Sequence, residues 1–310
     1  MTARIAITGA AGLVGQNLIP RLKARGYANI VALDKHPAST RALRSLHPDI
    51  RILEVDLART DGWQDAVGAS DIVVISHAQI GGIDPQAYID NNVVATQRVI
   101  DALKPRNNAY LVGISSSAVE SAASDWYVET KTQRERIYAN SGLPYAILRP
   151  TLMFGPFDRK HVAWLARFMR KTPVFPIPGR GEYLRQPLYA GDFCEIVISC
   201  IERRPNRAVY NISGLEQITF IELMRLVKVI TGAKAAFVNI PYGLFHVLLS
   251  LYTAFDPDPP FTTKQLEALA TPDVFEVIDW PTMFGVTSTP LLAALEATFH
   301  DPTNSQIMEI

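Results

Sequence analysis

Short apolar runs alternate with amphipathic or polar segments through the first half of the chain. The runs are Arg4–Thr8, Asn29–Leu33, Arg51–Val55, Asp71–Ser76, Tyr110–Ile114 and Tyr145–Leu148. Most are continuous apolar strings rather than strict alternations, which is the pattern of strands covered on both faces. Between them the sequence predicts helices at Gly15–Arg25, Ser39–Leu46, Pro85–Leu103 and Ser124–Asn140. Strand–helix alternation at this spacing predicts an α/β fold with a doubly wound parallel sheet and right-handed crossovers. A four-helix bundle and a β-sandwich are excluded.

After Pro150 the pattern loosens into shorter elements, punctuated by proline clusters at 173–178 and 256–260. Thr219 and Glu222 form a capping box that opens a helix running to about Ile230, with Gly232 as its stop. These features predict a first domain over 1–150 and a smaller α/β region over 151–310, partly interleaved with the first. From Ala235 to Phe255 there is no charged side chain, but Asn239, Pro241 and Gly243 interrupt the stretch. Its uninterrupted part, Leu244 to Phe255, has the length of a packed or interfacial helix rather than of a membrane span. A packed helix is expected, with a surface patch for a membrane or a partner as the alternative.

Composition narrows the function classes. A chain of 310 residues that is 48% hydrophobic and 19% charged can bury a sizeable core. Thirty basic side chains balance thirty acidic ones, which argues against a nucleic-acid partner. Cys194 and Cys200 make neither a disulfide framework nor a Cys-x-x-Cys pair, so no metal site is expected. The opening residues lack the apolar stretch of a secretory signal, and cytoplasm is the expected compartment.

Gly9-Ala-Ala-Gly12-Leu-Val-Gly15 follows the first strand directly and opens a helix. Glycines there let the backbone turn tightly and approach a diphosphate, while the helix N-terminus offers free N–H groups. Asp34 ends the second strand, 19 residues beyond Gly15. A carboxylate at that place accepts from adenosine ribose hydroxyls and repels a 2′-phosphate, which favours NAD over NADP; the alternative is a helix cap or a solvated loop carboxylate. Lys35 and His36 follow it and soften the discrimination. Asp56 and Leu57, closing the third strand, are placed to flank the adenine.

Tyr127 and Lys131 stand four residues apart on a predicted helix, on one face and one turn apart. A phenol of pKa about 10 is a poor base at neutral pH, and bringing it to about 7 takes roughly 4 kcal/mol. A nearby ammonium and the nicotinamide charge can supply that. Ser115, Ser116 and Ser117, at the end of the fifth strand, are candidate donors to a substrate carbonyl.

Together these residues resemble the extended short-chain dehydrogenase/reductase family, in its NAD-dependent nucleotide-sugar epimerase/dehydratase branch. The resemblance runs from residue 4 to about 290, through TGAAGLVG at 8–15, NNVVAT at 91–96, SSSAV at 115–119, YVETK at 127–131, LRPTLMFGP at 148–156 and GRGEYLRQPLYAGD at 179–192. It implies a Rossmann-type dinucleotide domain with a smaller substrate domain. It implies Tyr127 as general acid/base, Lys131 as the residue that lowers its pKa and holds the nicotinamide ribose, and Ser116, with Ser117 as fallback, as the catalytic serine. For the cofactor, NAD, it implies Gly9, Ala11, Gly12, Leu13, Val14, Gly15, Asp34, Lys35, Asp56, Leu57, His77, Ala78, Asn92 and Ser115 beside Tyr127 and Lys131. For the substrate it implies Gln79, Ser117, Met153 and Arg185, the last toward a sugar-nucleotide phosphate.

The chain also departs from the family. The V-Y-G string reads Val119-Glu120-Ser121, removing part of a usual substrate wall. His77 stands at a normally small position beside the dinucleotide, where a satisfied lining histidine is expected. The asparagine of R-P-x-N is absent. Ser116 is followed by Ser117-Ala118 rather than Asp-Glu, which disfavours dehydration. The expectation is therefore an epimerase that recycles NAD on a nucleotide sugar. A dehydrogenase or reductase of a sugar or other ketone is the alternative, and a non-catalytic dinucleotide-binding subunit a further one. The resemblance also implies a homodimer through the helices at 85–103 and 124–140, with Val93, Val94, Val99, Ile100 and Tyr138 facing either the partner or the sheet.

Overall fold

The computed structural model describes residues 2–106, 108–121, 125–255, 263–270 and 275–300. The apolar runs become β1 (Ile5–Thr8), β2 (Ile30–Asp34), β3 (Arg51–Glu54), β4 (Ile72–Ile75), β5 (Tyr110–Ile114) and β6 (Tyr145–Pro150). The segments between them become α1 (Leu13–Ala24), α2 (Pro37–Leu46), α3 (Gln64–Gly68), α4 (Pro85–Tyr88), α5 (Ala95–Leu103) and α6 (Trp126–Asn140). Ser124, the expected start of α6, lies outside the described residues. A π-helical stretch, Ile89–Val94, divides the expected single helix at Pro85–Leu103.

After Pro150 come β7 (Met153–Phe154), α7 (Val162–Lys171), β8 (Val174–Pro178), β9 (Leu184–Arg185), β10 (Leu188–Tyr189), α8 (Ala190–Arg203), β11 (Ala208–Ile212), β12 (Ile218–Thr219), α9 (Phe220–Thr231), β13 (Ala236–Ile240), α10 (Tyr242–Phe255), α11 (Thr263–Ala270), α12 (Trp280–Phe284) and α13 (Leu291–His300). The capping box is present: Glu222 N donates to Thr219 Oγ1 at 3.3 Å, Thr219 N donates to Glu222 Oε2 at 3.2 Å, and Gly232 closes α9 at φ +65°. The first proline cluster forms β8, paired with β13, and the second lies outside the described residues.

Seven parallel strands make the main sheet in the order β11-β6-β5-β4-β1-β2-β3. The winding reverses between β1 and β4, which opens a crevice at their carboxyl ends, where ligands bind in sheets of this kind. One face is covered by α1, α8 and α12 through Leu18, Leu22, Ile196, Val197 and Trp280, the other by α5 and α6 through Val99, Ile100, Leu103 and Tyr138. A third cluster, with Phe154, Met169, Phe175, Leu223 and Met224, joins α7 to α9 and the β8–β13 ribbon. The seventh strand and α8, both beyond Pro150, thus belong to the first core. AVYNI at β11 is half-covered, as an edge strand is, and carries no continuous apolar signal.

The expectation of a packed helix at 244–255 is corrected. Leu244, Val247, Leu248, Leu251 and Phe255 of α10 are 53%, 54%, 50%, 57% and 87% exposed, while His246 and Ser250 lie on the inner side. An apolar run marks a helix, but which side is covered depends on distant segments. Among the described residues no helix is long and apolar enough to cross a membrane.

Candidate active site

The glycine turn sits where the crevice opens. Gly9 adopts φ +65°, and a Cβ there would lie 2.6 Å from the backbone of His77, just past β4. A Cβ on Gly15 would lie 2.3 Å from Ala10 O. Both glycines are therefore required for the turn to close against β4 and for α1 to close against the turn. Gly12 caps α1 in extended backbone, with no side-chain cap and no acidic residue in the first turn. The helix dipole and the first-turn amides of Leu13, Val14 and Gly15 are left to an anion.

Asp34, only 8% exposed, tethers this turn: its Oδ2 accepts from Ala11 N at 3.0 Å, and its Oδ1 accepts from His36 N at 3.0 Å. Burial works to raise the carboxyl, but hydrogen bonds from His36 and Ala11 bring it below the usual carboxylate range. It is an anion at neutral pH. Lys35 Nζ donates to Asn91 Oδ1 at 2.6 Å and lies 3.8 Å from Asp56, whose Oδ1 caps Ala58 N. Leu57 is buried beside them.

A residue that sequence reasoning missed reaches the same place from the second half of the chain. Arg159, between β7 and α7, donates to Ser39 Oγ and is drawn to the Asp34 charge. Asn17 of α1 binds the same loop through Pro156 O at 2.7 Å. The only sequence signal was a lone arginine four residues past the LMFG string.

At the other end of the crevice, Tyr127 lies at the start of α6, whose N-cap Asp125 accepts from Val128 N at 2.9 Å. Ser116 neighbours the phenol. Burial leaves its pKa above the ordinary tyrosine value, against the downward pull of Ser116 and of the Arg134 charge. Lys131, 3% exposed, sits with Nζ 5.5 Å from the centre of the Tyr127 ring and donates to Ile114 O at 3.1 Å. Burial first, and then repulsion by Arg134, push its ammonium well below the usual range. Ser117 opens a short 3-10 turn, and Ser115 Oγ is buried without a hydrogen-bond partner.

Asn92, in the π-helical stretch, binds both ways: its Oδ1 accepts from Gln79 N at 2.8 Å and its Nδ2 donates to Gln79 O and Thr130 Oγ1 at 3.1 and 3.0 Å. It joins the loop after β4, with Ala78 and Gln79, to α6. His77 is partly buried and satisfied on both nitrogens, Nδ1 at 2.7 Å from Thr8 Oγ1 and Nε2 at 3.3 Å from Thr96 Oγ1. Burial and the charges of Arg134, Lys131 and Lys35 hold its pKa well below the ordinary value, so the ring is neutral.

Glu120, where the family carries the tyrosine of V-Y-G, is taken into an ion-pair chain. Its Oε1 accepts from Arg149 Nη1 at 2.5 Å and its Oε2 from Asn211 Nδ2 at 3.0 Å, while Arg149 forks onto Glu135 at 2.9 and 2.6 Å. Met153 lies on β7, and Arg185 on β9 with its guanidinium 5.1 Å from the Tyr183 ring centre.

An elongated diphosphate dinucleotide fits this set. The cradle closes where side chains on Gly9 or Gly15 would clash, an anionic Asp34 stands at one end, and the orphaned Ser115 hydroxyl and buried Lys131 stand at the other. Over residues 5–213 the chain matches the model of the NAD dependent epimerase/dehydratase family. It is similar to the Low-salt glycan biosynthesis protein Agl12 of Haloferax volcanii, 26% identical over 262 residues, covering 74% of this chain and 83% of that one. It is likewise similar to the "Uncharacterized UDP-glucose epimerase YtcB" of Bacillus subtilis, 26% identical over 272 residues, covering 75% and 83%. In fold it is similar to UDP-glucuronic acid 4-epimerase of Bacillus cereus in complex with NAD, with TM-score 0.73 and 22% identity over 98% of this chain and 99% of that one. The seven-stranded doubly wound sheet, the glycine turn at its switch point and the match across 5–213 agree: the chain belongs to the NAD dependent epimerase/dehydratase family.

Proposed function

We propose that this chain is an NAD-dependent epimerase-type oxidoreductase that acts on a nucleotide sugar through a hydride-transfer keto intermediate. The observation that carries the reading is Tyr127 with Lys131 Nζ 5.5 Å from its ring centre and Ser116 beside it, on the same crevice as the glycine turn. The similarity to a UDP-glucose epimerase and to a UDP-glucuronic acid 4-epimerase supports a uridine-diphosphate sugar as the substrate class.

In this reading the amides of Leu13, Val14 and Gly15 hold the diphosphate, Asp34 accepts from the adenosine ribose, Asp56 and Leu57 flank the adenine, and Lys131 and Ser115 hold the nicotinamide end. Bound NAD supplies the hydride acceptor and, on return, the donor. Tyr127 takes the hydroxyl proton as the sugar carbinol becomes a ketone, and gives it back when the ketone is reduced on its other face. Ser116 and Ser117 donate to the oxygen that gains charge, Arg185 pairs with the substrate phosphates, and Gln79 and Met153 line the sugar. Glu120, tied to Arg149 and Asn211, stands in the wall that V-Y-G builds elsewhere.

A second reading, an NAD(P)-dependent dehydrogenase or reductase, draws on Arg159. Its guanidinium at Ser39 is placed to pair with a 2′-phosphate despite Asp34. Mass spectrometry of the cofactor released by denaturation separates the two, together with nicotinamide absorbance after adding UDP-glucose or UDP-glucuronic acid. Retained NAD with an epimeric product and no net absorbance change supports the epimerase. Stoichiometric consumption of added cofactor supports the second reading, and NAD without any turnover supports a binding protein.

The reading includes a homodimer in the cytoplasm. Val99, Ile100 and Tyr138 face the sheet core, each 0–1% exposed. Val93, Val94 and Ile137 instead line an apolar surface groove of about 440 Å³ between the π-helical stretch and α6, and this groove supports a second copy as partner.

A further inference from the structure

The reading above leaves a cation at the adenosine end without a task. Lys35 follows Asp34 directly, at the carboxyl end of β2, where a free lysine would meet a 2′-phosphate. Its ammonium is instead turned toward the π-helical stretch Ile89–Val94: Nζ donates to Asn91 Oδ1 at 2.6 Å and lies 3.8 Å from Asp56 Oδ2. Asn91 is itself fixed. Its Nδ2 donates to Ala87 O at 2.8 Å and to Gln79 Oε1 at 3.3 Å, so both amide hydrogens are spent and Oδ1 is the atom left facing the lysine. The next side chain, Asn92, secures the backbone of Gln79, which ties the brace to the loop after β4.

The Lys35 side chain is 35% exposed. Pinning such a lysine gains little stability, since the lost rotamer freedom offsets the contact. What the brace decides is where the charge sits. On the α2 side of Asp34, Arg159 at Ser39 faces a 2′-phosphate without help from Lys35, while the buried Asp34 anion repels that phosphate. We propose that Asn91 determines the choice of cofactor: by holding the Lys35 ammonium on the Asp56 side of the crevice, it withholds the second cation that a 2′-phosphate needs beside an anionic Asp34, and so keeps the site selective for NAD. The inference rests on the reading that the adenosine ribose lies at Asp34.

The test needs no sugar substrate. Purified protein is equilibrated with an equimolar excess of NAD and NADP, free nucleotide is removed, and the NADP-to-NAD ratio released by denaturation is read by mass spectrometry. Asn91→Leu raises the ratio about ten-fold or more, since a freed ammonium then reaches the phosphate. Lys35→Met alone moves it by less than about two-fold, because the lysine is already withdrawn, and Lys35→Met added to Asn91→Leu cancels the gain. An unchanged ratio in folded Asn91→Leu, or a gain that persists in the double variant, overturns the inference. If circular dichroism shows Asn91→Leu unfolded, Lys35→Met decides: a ratio lowered about ten-fold or more puts the lysine already on the 2′-phosphate and overturns it, and an unmoved one supports it. Asp34→Ala keeps the two failures apart. A ratio unmoved there defeats the placement of the ribose at Asp34, whereas a raised one beside an unmoved Asn91→Leu ratio defeats the Asn91 inference alone.

Discussion

Three nitrogen-bearing side chains, His77, Lys131 and Arg134, crowd the carboxyl ends of β4 and β5. His77 shows the consequence for stability. Its folded pKa lies well below the ordinary 6.5, first because of burial and then because of its cationic neighbours. Below 6.5 the unfolded chain takes up a proton that the folded ring declines, so this contribution is present above pH 6.5 and is lost as pH falls. Thermal midpoints measured from pH 8 down to pH 5 should therefore fall more steeply for the wild type than for His77→Gln. Parallel curves would mean that His77 takes up its proton alike in the folded and unfolded chain. The sequence made a satisfied lining histidine readable at 77, and Tyr127 and Lys131 readable from their spacing. Arg134 was not readable, because an arginine on a helix is ordinarily solvated and only the packing of α6 on β4 buries it.

Among the elements, α6 and α10 are opposite cases of one limit on pattern reading. The buried stripe of α6 is polar, while the exposed stripe of α10 is apolar. The hydrophobic pattern does not show the covered side in either case, because a buried polar stripe is stabilised by carbonyls and hydroxyls of other elements. The strands of the first half were legible to within two residues, since continuous β-branched runs have few alternatives. The edge strand β11 was not. Chemical denaturation separates the two kinds of helical leucine. Leu251→Ser, at a position 57% exposed, changes stability by no more than about 0.5 kcal/mol, whereas Leu18→Ala, at 0%, costs about 2–5 kcal/mol. A comparable loss from Leu251→Ser would show that α10 is covered in solution.

Across the whole molecule, the order β11-β6-β5-β4-β1-β2-β3 brings Gly9, His77, Ser116 and Tyr127 to one end of the sheet from segments far apart in sequence. That convergence was legible as a fold class, and the crevice followed from it. Which elements return to the first core, α8 and β11, was not, because α8 meets α1 across 180 residues and β11 pairs with β6 only after α7 and α8 have intervened. On the apolar groove at α6, Ile137→Glu is expected to convert the proposed dimer to monomer in light scattering at micromolar concentration, with the helical signal retained; a wild type already monomeric would remove this part of the account. The central claim is that Tyr127 moves the proton for hydride transfer at this crevice. Rapid-mixing absorbance of the nicotinamide tests it most directly, comparing wild type and Tyr127→Phe with matched NAD content and UDP-glucuronic acid as substrate. The account predicts a transient rise in the wild type and a rate lower by about 10²–10⁴ in Tyr127→Phe. Equal transients in the two proteins would contradict it.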